Sequence, residues 1–499
     1  MALIEYLSTN NTAISAVLVC IIITALNRLF TYINGLDNLK NIPSVGFEGG
    51  YKKARERFLF DNLSLMKEGY KKDGAFKVVA DNGKFQAMVS PNMAMEMRNT
   101  PNDVLSFTAT TRDLLMTEYT GIQESDTAVK CVRLDLTKNH GRLIPAMAIE
   151  TKWSFDKHFG ECKEWTKFQI HPMLLQVVAV VSGVAFVGNP ENRNPDWLDC
   201  AINYTVDVFS GTQKLRQKLL PKFLLPITAR LSPEISRTKQ HRIKARRLIG
   251  PLVEARLAGT VPPGDDMMQW LIDSSPAEER NVDRFAQMLL QLSMASIHTT
   301  SMTVTKALYD LASRPEYTKP LREEVETVLK EEGGFTQNGI RRLDLIDSFL
   351  KESQRLGPIG NMTMRRKVVG SKGFTFSNGV HIPHGATILG VTSAAASLDP
   401  EIFENPEEFD GYRFLKLRQE DPNKHVFSST STYHWGLGKH ACPGRFFAST
   451  EIKMLLAEIV VRYDIRIKDN KRPADICWGI SNSPDVSAFV EFRARQDIL

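Results

Sequence analysis

A single cysteine near the C-terminus, set in a glycine-rich loop, constrains this chain more than any other feature. The segment reads YHWGLGKHACPGRFFA over residues 433–448, and an apolar stretch of helical character follows it. The glycines allow tight turns and close approach of the backbone, and Pro443 suits the first position of a helix. Cys442 is therefore predicted to lie just before a helix N-terminus, whose free N–H groups stabilise a thiolate.

A thiolate held in this loop has three interpretations. With Trp435 and the donor His440 beside it, Cys442 suits axial ligation of haem iron. The alternatives are a buried structural cysteine and half of a zinc pair with His440. Zinc is disfavoured because the sequence holds no second Cys–His pair of matching spacing.

The composition permits one large, self-supporting core. The chain has 499 residues, of which 42% are hydrophobic, and no linker-like stretch or repeat divides it. The six cysteines show no CxxC pair, which is typical of reduced residues facing the cytosol. The net charge of +6 suits an anionic membrane surface or an acidic protein partner and is too small to indicate nucleic-acid binding. One catalytic domain over residues 36–499 is expected.

The N-terminus is predicted to be a membrane anchor. Residues 13–26, AISAVLVCIIITAL, carry no charge, and the apolar stretch continues to residue 33. With Arg28 at the interface this length spans a bilayer, so residues 1–35 form the predicted anchor. A cleaved signal peptide or a buried helix is the alternative, but no Lys or Arg precedes the apolar run. Because basic residues follow the span, the N-terminus is expected in the lumen and the remainder in the cytoplasm.

Turn signals place two hairpins on either side of a mainly helical region. Residues 76–89 and 373–390 each alternate in polarity around an Asn-Gly pair, which is a strong hairpin signal. The longest helix is predicted over residues 283–313, ending before Pro315, and its apolar centre is typical of a helix that crosses the core. The predicted fold is mainly α, with small β-sheets in an annex beside a large helical body.

The loop WGLGKHACPGRFFA resembles the cysteine-ligand loop of the cytochrome P450 superfamily, the haem-thiolate monooxygenases. That loop follows the pattern aromatic-x-x-Gly-x-(Arg/His)-x-Cys-x-Gly. The resemblance implies that Cys442 is the axial ligand of the haem iron and that His440 meets a haem propionate. Trp435 stands where most members have Phe; its ring would cover the sulfur, and its indole N–H could donate a hydrogen bond that tunes the iron.

Two further motifs resemble a buried triad of this family. Glu352 and Arg355, in FLKESQRLG, are three residues apart and so share a helix face, and Arg413 lies in NPEEFDGYRF. By resemblance, these three residues lock the helix to the segment before the cysteine. Taken alone, an i,i+3 Glu–Arg pair is usually a solvated surface pair.

The motif ASIHTT, in the long helix, resembles the family's proton-delivery site. By resemblance, Thr299 helps to deliver protons to dioxygen, although a mid-helix threonine can simply bond back to its own helix. Ser296 replaces the usual glycine and His298 the usual acid. Since histidine can give and accept a proton near neutrality, His298 is either part of the relay or a structural residue facing away from the cofactor.

Cationic residues are also expected at the haem propionates. Within MRRKVV, Arg366 is the favoured residue and Arg365 the second choice. The family's Trp-x-x-x-Arg is not found near residues 136–150, and the weaker candidates around that region are Arg133, His140 and Arg142.

The resemblance covers about residue 36 to the end and implies a cytochrome P450 fold with haem b (iron protoporphyrin IX). Substrate is expected against the long helix near Ala295 and Thr299, and against residues 358–364 and 480–484. Since no flavin or nicotinamide fingerprint is present, electrons are expected from a membrane-bound NADPH–cytochrome reductase, with cytochrome b5 as a second donor. The basic residues expected at the docking face are Lys416, Arg418 and Lys439.

The motifs look most like those of fungal members that oxidise secondary metabolites, including terpenoid and indole-diterpenoid scaffolds, at the endoplasmic reticulum membrane. Hydroxylation of such an apolar molecule, in one or several steps, is the expected activity. Two alternatives remain. One is a haem-thiolate isomerase or dehydratase that uses no dioxygen, suggested by the missing acid at position 298. The other is a non-catalytic haem protein.

Overall fold

The computed structural model describes residues 15–29, 37–71, 74–421 and 424–496, and most of them are helical. The α-helices are α1 (residues 15–29), α2 (Gly50–Phe60), α3 (Asn62–Gly69), α4 (Pro91–Met97), α5 (Phe107–Leu115), α6 (Thr117–Thr120), α7 (Asp126–Cys131), α8 (Thr137–Phe159), α9 (Ile170–Phe186), α10 (Pro195–Gln217), α11 (Leu225–Arg230), α12 (Pro233–Leu257), α13 (Met267–Ser274), α14 (Val282–Ala312), α15 (Thr318–Glu332), α16 (Gln337–Arg342), α17 (Asp344–Leu356), α18 (Ser393–Ala396), α19 (Arg413–Leu417) and α20 (Arg445–Arg462).

The strands are short and form small sheets at the edges of the helical body. They are β1 (Ala75–Val79), β2 (Phe85–Val89), β3 (Leu105–Ser106), β4 (Thr166–Gln169), β5 (Arg366–Val368), β6 (Phe374–Thr375), β7 (His381–Ile382), β8 (Thr387–Val391), β9 (Tyr463–Arg466), β10 (Ile476–Trp478), β11 (Ser481–Ser483) and β12 (Phe489–Ala494). The largest sheet has the order β1-β2-β8-β5-β3, and a second has the order β4-β12-β9. The prediction of a mainly α fold with small sheets is confirmed.

Both predicted hairpins form. Strands β1 and β2 pair antiparallel with Ala75 opposite Val89, and Gly83 takes the positive φ of 72° that the turn between them needs. Strands β6 and β7 pair antiparallel around Gly379, whose φ is 84°. The two hairpins lie close together in space because β2 pairs with β8, which follows the second hairpin.

Helix α14 crosses the core, as its apolar centre predicts. The side chain of Asn281 caps its first turn by accepting from the backbone N–H of Arg284. Along its length it packs against α9, α10, α12, α17 and α20. Helix α20 begins at Arg445 and not at Pro443, because Pro443 and Gly444 form a turn between the cysteine and the helix.

Helix α1 carries large apolar side chains that are all exposed, among them Val17, Ile21 and Leu29. The predicted span over residues 13–33 lies partly outside the described residues, which begin at 15 and are interrupted from 30 to 36. Within the part of the chain that the structure describes, no helix is both long and apolar enough to cross a bilayer.

Candidate active site

A cavity of about 500 Å³ lies between α14 and the cysteine loop. Thr299 and Thr303 of α14 line one side of it, and Trp435, Ala448 and Ile452, from the cysteine loop and α20, line another. This volume lies within the range of known ligand and cofactor sites. The segment from α17 to β5 and the β10–β11 hairpin supply further walls, as expected for residues 358–364 and 480–484.

Glycines and one backbone hydrogen bond close the cysteine loop. The amide of Cys442 donates to the carbonyl oxygen of Trp435 at 2.7 Å. Gly438 has a φ of 72°, and a Cβ there would lie 2.3 Å from the carbonyl oxygen of Arg98. Only glycine therefore allows the loop to pack this closely against the end of α4.

The thiol of Cys442 faces the start of α20. Burial raises the pKa of this thiol, and the backbone N–H groups of Gly444 and Arg445 act in the opposite direction. Trp435 does not act on the sulfur as we expected, since its indole N–H donates to the carbonyl oxygen of Phe427 at 2.7 Å. That bond orients the ring and uses its only N–H donor.

His440 lies among positive charges. Its Nε2 pairs with Oδ1 of Asn102 at 2.9 Å, and its ring stacks on Phe107 with centroids 5.1 Å apart. Burial, followed by the charges of Arg366, Lys439 and Arg133, lowers the pKa of His440 to about 4. A cluster of this kind favours an anion close by.

Arg366 is the least compensated charge in this cluster. The residue is 1% exposed, and its Nε and one terminal nitrogen have no hydrogen-bond partner among the described residues. The other terminal nitrogen donates to the carbonyl oxygen of Arg365 at 2.8 Å, and burial lowers the pKa of Arg366 to about 10. Since a buried cation needs an anionic partner, these residues fit the propionate groups of a haem.

Of the other candidates for the propionates, two lie at the cavity or the cysteine loop and two bond elsewhere. Arg365 lines the cavity itself. A terminal nitrogen of Arg133 donates to the carbonyl oxygen of Lys439 at 3.0 Å, so Arg133 reaches the cysteine loop. Arg142 instead pairs with Asp265 at 2.8 Å, and His140 bonds to the carbonyl of Thr137 in its own helix.

Glu352, Arg355 and Arg413 meet in the interior. Oε2 of Glu352 accepts from Nε of Arg355 at 2.7 Å, and Oε1 accepts from Nε of Arg413 at 3.1 Å. The side chains of Glu352 and Arg355 are fully buried. Arg355 also donates to the backbone carbonyls of Ser397, Pro406 and Glu408, so one guanidinium ties α17 to the segment that leads to the cysteine loop.

Thr299 and His298 point in different directions. Thr299 lines the cavity, and its hydroxyl donates to the carbonyl of Ala295 at 2.7 Å. Nε2 of His298 instead pairs with the carbonyl of Ile202 on α10 at 3.0 Å, and burial lowers its pKa. The residue is absent from the cavity lining within the described part of the chain. This geometry favours the structural interpretation of His298 over the relay.

Two predicted docking residues are engaged within the protein. Arg418 is buried, and its guanidinium pairs with Asp344 and Asp347; its assignment to a basic docking face is wrong, because an arginine bound in this way cannot meet a partner. Lys416 is exposed and pairs with Asp410 at 2.8 Å.

Sequence reasoning missed two buried titratable groups on helices that line the cavity. Glu451 of α20 is fully buried and accepts from the hydroxyl of Ser182, and burial raises the pKa of its carboxyl to about 8. Ser182 also contacts the hydroxyl of Ser296 at 3.2 Å. Lys306, which lines the cavity, lies seven residues after Thr299 and hence on nearly the same helix face; that spacing was the available signal.

A cysteine loop before a helix, an uncompensated cationic cluster and a long helix across the cavity are the parts of a haem-thiolate protein. The sequence matches the family model described as Cytochrome P450 over residues 137–485. Similar proteins include cytochrome P450 monooxygenase braC of Annulohypoxylon truncatum, 34% identical over 91% of this chain and 92% of that protein. Cytochrome P450 monooxygenase BOA4 of Botryotinia fuckeliana is 32% identical over 98% of this chain and 97% of its own length.

Cytochrome P450 monooxygenase ntnM of a Nectria species is 35% identical over 93% of this chain and 90% of its own length. The chain belongs to the cytochrome P450 family. It is thus a haem-thiolate monooxygenase, and its cofactor is a haem held by a cysteine thiolate.

Proposed function

We propose that this chain is a membrane-bound monooxygenase that hydroxylates a hydrophobic secondary metabolite, and that the thiolate of Cys442 would hold the iron of its haem. One observation carries the proposal: Trp435 of the cysteine loop and Thr299 of α14 line the same cavity, and the uncompensated guanidinium of Arg366 lies beside His440 of that loop. The haem, when bound, supplies the activation of dioxygen. Arg366, His440 and Arg133 would hold its propionates, and the ring of Trp435 would shield the Cys442 sulfur.

In this proposal, proton delivery into the cavity depends on Thr299. Thr299 lines the cavity, and its hydroxyl, which donates to the carbonyl of Ala295, would pass a proton toward the cavity once that bond within the helix is exchanged. The triad of Glu352, Arg355 and Arg413 is a positioning device, since it holds α17 against the segment before the ligand loop. His298 serves the contact between α14 and α10.

The proposed substrate is an apolar polycycle of the terpenoid or indole-diterpenoid class. Support comes from walls that are mainly apolar, including Leu114, Phe209, Ile359 and Ile480, interspersed with threonine hydroxyls. A polycycle gains affinity from burial of apolar area, and hydroxyl groups in the walls can orient an oxygen that it carries.

Electrons are proposed to come from an NADPH–cytochrome reductase, with cytochrome b5 as a second donor, docking near Lys439 and Lys416. Residues 1–35 are proposed to anchor the chain in the endoplasmic reticulum membrane with a lumenal N-terminus. The exposed apolar side chains of α1 support this, because leaving them in water is costly.

The test is reconstitution of the full chain with reductase. The ferrous carbon monoxide complex should show the red-shifted Soret band of thiolate-ligated haem, and Cys442→Ser should abolish that band. Candidate terpenoids should stimulate reductase-dependent NADPH consumption with incorporation of one oxygen atom. Conversion of substrate without NADPH would favour an isomerase or dehydratase. Salt-extractable full-length protein would refute the anchor.

A further inference from the structure

Lys306 is a buried lysine in the wall of the proposed substrate cavity. It is 1% exposed and lines the cavity from α14. Thr299 precedes it by two helical turns, about 10 Å along the axis. Lysine is rarely fully buried unless it is paired, so its contacts require an explanation.

The ammonium group joins two wall segments to α14. It donates to the carbonyl oxygen of Pro358 at 2.9 Å and to Oδ2 of Asp475 at 2.9 Å. Pro358 begins the segment after α17, which also contributes Ile359 and Gly360 to the cavity wall. Asp475 immediately precedes the β10–β11 hairpin, whose Ser481 lines the cavity.

The two walls are also joined to each other at this point. The side-chain amide of Asn482 donates to the same Pro358 carbonyl at 2.9 Å and to Oδ2 of Asp475 at 3.3 Å. Its backbone N–H donates to the carbonyl of Ile359 at 3.0 Å. Lys306 therefore anchors an already connected pair of walls to the helix that bears Thr299.

We propose that Lys306 is a positioning residue for substrate selection: by holding Pro358 and Asp475 against α14, it limits how far a ligand can extend along the cavity from Thr299. The inference rests on the proposed function, since it takes this cavity as the substrate site. A buried ion pair often stabilises a protein no more than well-packed apolar side chains of similar volume. The geometry that the pair fixes is then the better explanation for it.

The protonation state of Lys306 should also affect how firmly the two walls are held. Burial lowers the pKa of Lys306 to about 8, Asp475 and Asp310 oppose this, and Arg472 reinforces it. Arg472 itself bonds to both carboxylates, at 2.8 Å to Asp310 and 3.2 Å to Asp475. Loss of the ammonium proton above this pH weakens the bonds to both walls while Arg472 retains its hold on Asp475.

The experiment uses the full-length holoprotein and a series of 1-alkylimidazoles, from butyl to decyl. The imidazole nitrogen binds the haem iron and reports binding by the shift of the Soret band, while the alkyl tail explores the walls. Each methylene that enters the cavity should lower Kd about fourfold, until the tail meets the anchored walls. The readout is the ratio of the butyl Kd to the decyl Kd, in which the contribution of the imidazole group cancels.

We expect Lys306→Met to raise this ratio at least about fourfold, the value of one additional methylene. Asp475→Asn should raise it similarly, and the wild type should show the same rise above the pKa of Lys306. The matched control is Lys351→Met, which removes another buried ammonium, bonded to Ser429 and outside the cavity lining of the described residues. Its ratio should stay at the wild-type value.

An unchanged ratio in Lys306→Met with normal butyl binding would overturn the proposal. If that variant fails to bind haem, an unchanged ratio in Asp475→Asn and in the wild type at alkaline pH would overturn it equally. A rise in Lys351→Met as large as in Lys306→Met would also do so, because any lost buried charge would then suffice. A wild type that binds neither probe would refute the haem site itself, and the inference with it.

Discussion

Removing the carboxylate of Glu352 should lower the free energy of unfolding far more than removing an exposed carboxylate from an ion pair on a helix surface. Its two oxygens accept four hydrogen bonds, from the guanidinium groups of Arg355 and Arg413 and from the backbone N–H of Asp410. In Glu352→Ala the two guanidinium groups keep their backbone carbonyl partners but lose the carboxylate of the triad, and breaking such a buried pair costs about 3–5 kcal/mol. Arg355→Ala should cost at least as much, since it also leaves the carbonyls of Ser397 and Pro406 without that donor.

The measurement is thermal loss of the ferrous carbon monoxide band of the holoprotein. At an unfolding entropy of about 2.1 cal/mol/K per residue, a domain of this size loses about 1 °C of Tm per kcal/mol, so Glu352→Ala should lower Tm by about 3–5 °C. The control is Glu323→Ala, whose partner Lys319 is four residues away on α15 and whose pair is 84% and 64% exposed. An exposed pair contributes about 0.3–0.5 kcal/mol. Equal Tm values for the two variants would refute the argument.

Three further predictions follow from the site. Glu451→Gln should be more stable than the wild type at alkaline pH and should flatten the dependence of Tm on pH. Folding raises the pKa of the Glu451 carboxyl to about 8, so the stability that the protonated carboxyl contributes is fully present below its pKa in the unfolded chain and is lost as pH rises through about 8. The same dependence of Tm on pH in the variant and the wild type would contradict this. Thr299→Ala should divert NADPH electrons from product to peroxide, whereas His298→Ala should keep wild-type coupling because its ring bonds to the carbonyl of Ile202; equal uncoupling would return His298 to the relay. Arg366→Met should speed haem transfer to apomyoglobin about 10- to 100-fold, the value of a charge-assisted hydrogen bond, and an unchanged rate would exclude Arg366 from the haem contact.

The elements that sequence predicts well here are those with a local physical cause. The Asn-Gly turns need positive φ, which specifies the hairpin at Gly83 and Gly379. The apolar centre of α14 and Pro315 beyond it define a core helix to within one residue at each end. The start of α20 differs from the prediction because a proline fits both a turn and a helix N-terminus, and here Pro443 and Gly444 form a turn before Arg445.

Side-chain direction was less predictable than side-chain presence. His298 and Thr299 are adjacent in sequence, but neighbouring residues on a helix point about 100° apart, so one faces the cavity and the other α10. Likewise, the indole N–H of Trp435 donates to the carbonyl oxygen of Phe427, in the loop eight residues earlier, and the guanidinium of Arg418 pairs with Asp344 at the start of α17. Such contacts depend on tertiary packing, which no local pattern encodes.

The walls of the cavity run from Phe107 on α5 to Ser481 on β11, with the cysteine loop among the last parts. During synthesis, at about 5–20 residues per second, a chain of this length takes about 25–100 s to complete. The apolar residues of α1 leave the ribosome before any cavity-lining segment, whereas the haem pocket is incomplete until the β10–β11 hairpin has emerged. Cofactor capture must therefore come late, and the nascent domain exposes the future pocket to chaperones throughout that interval.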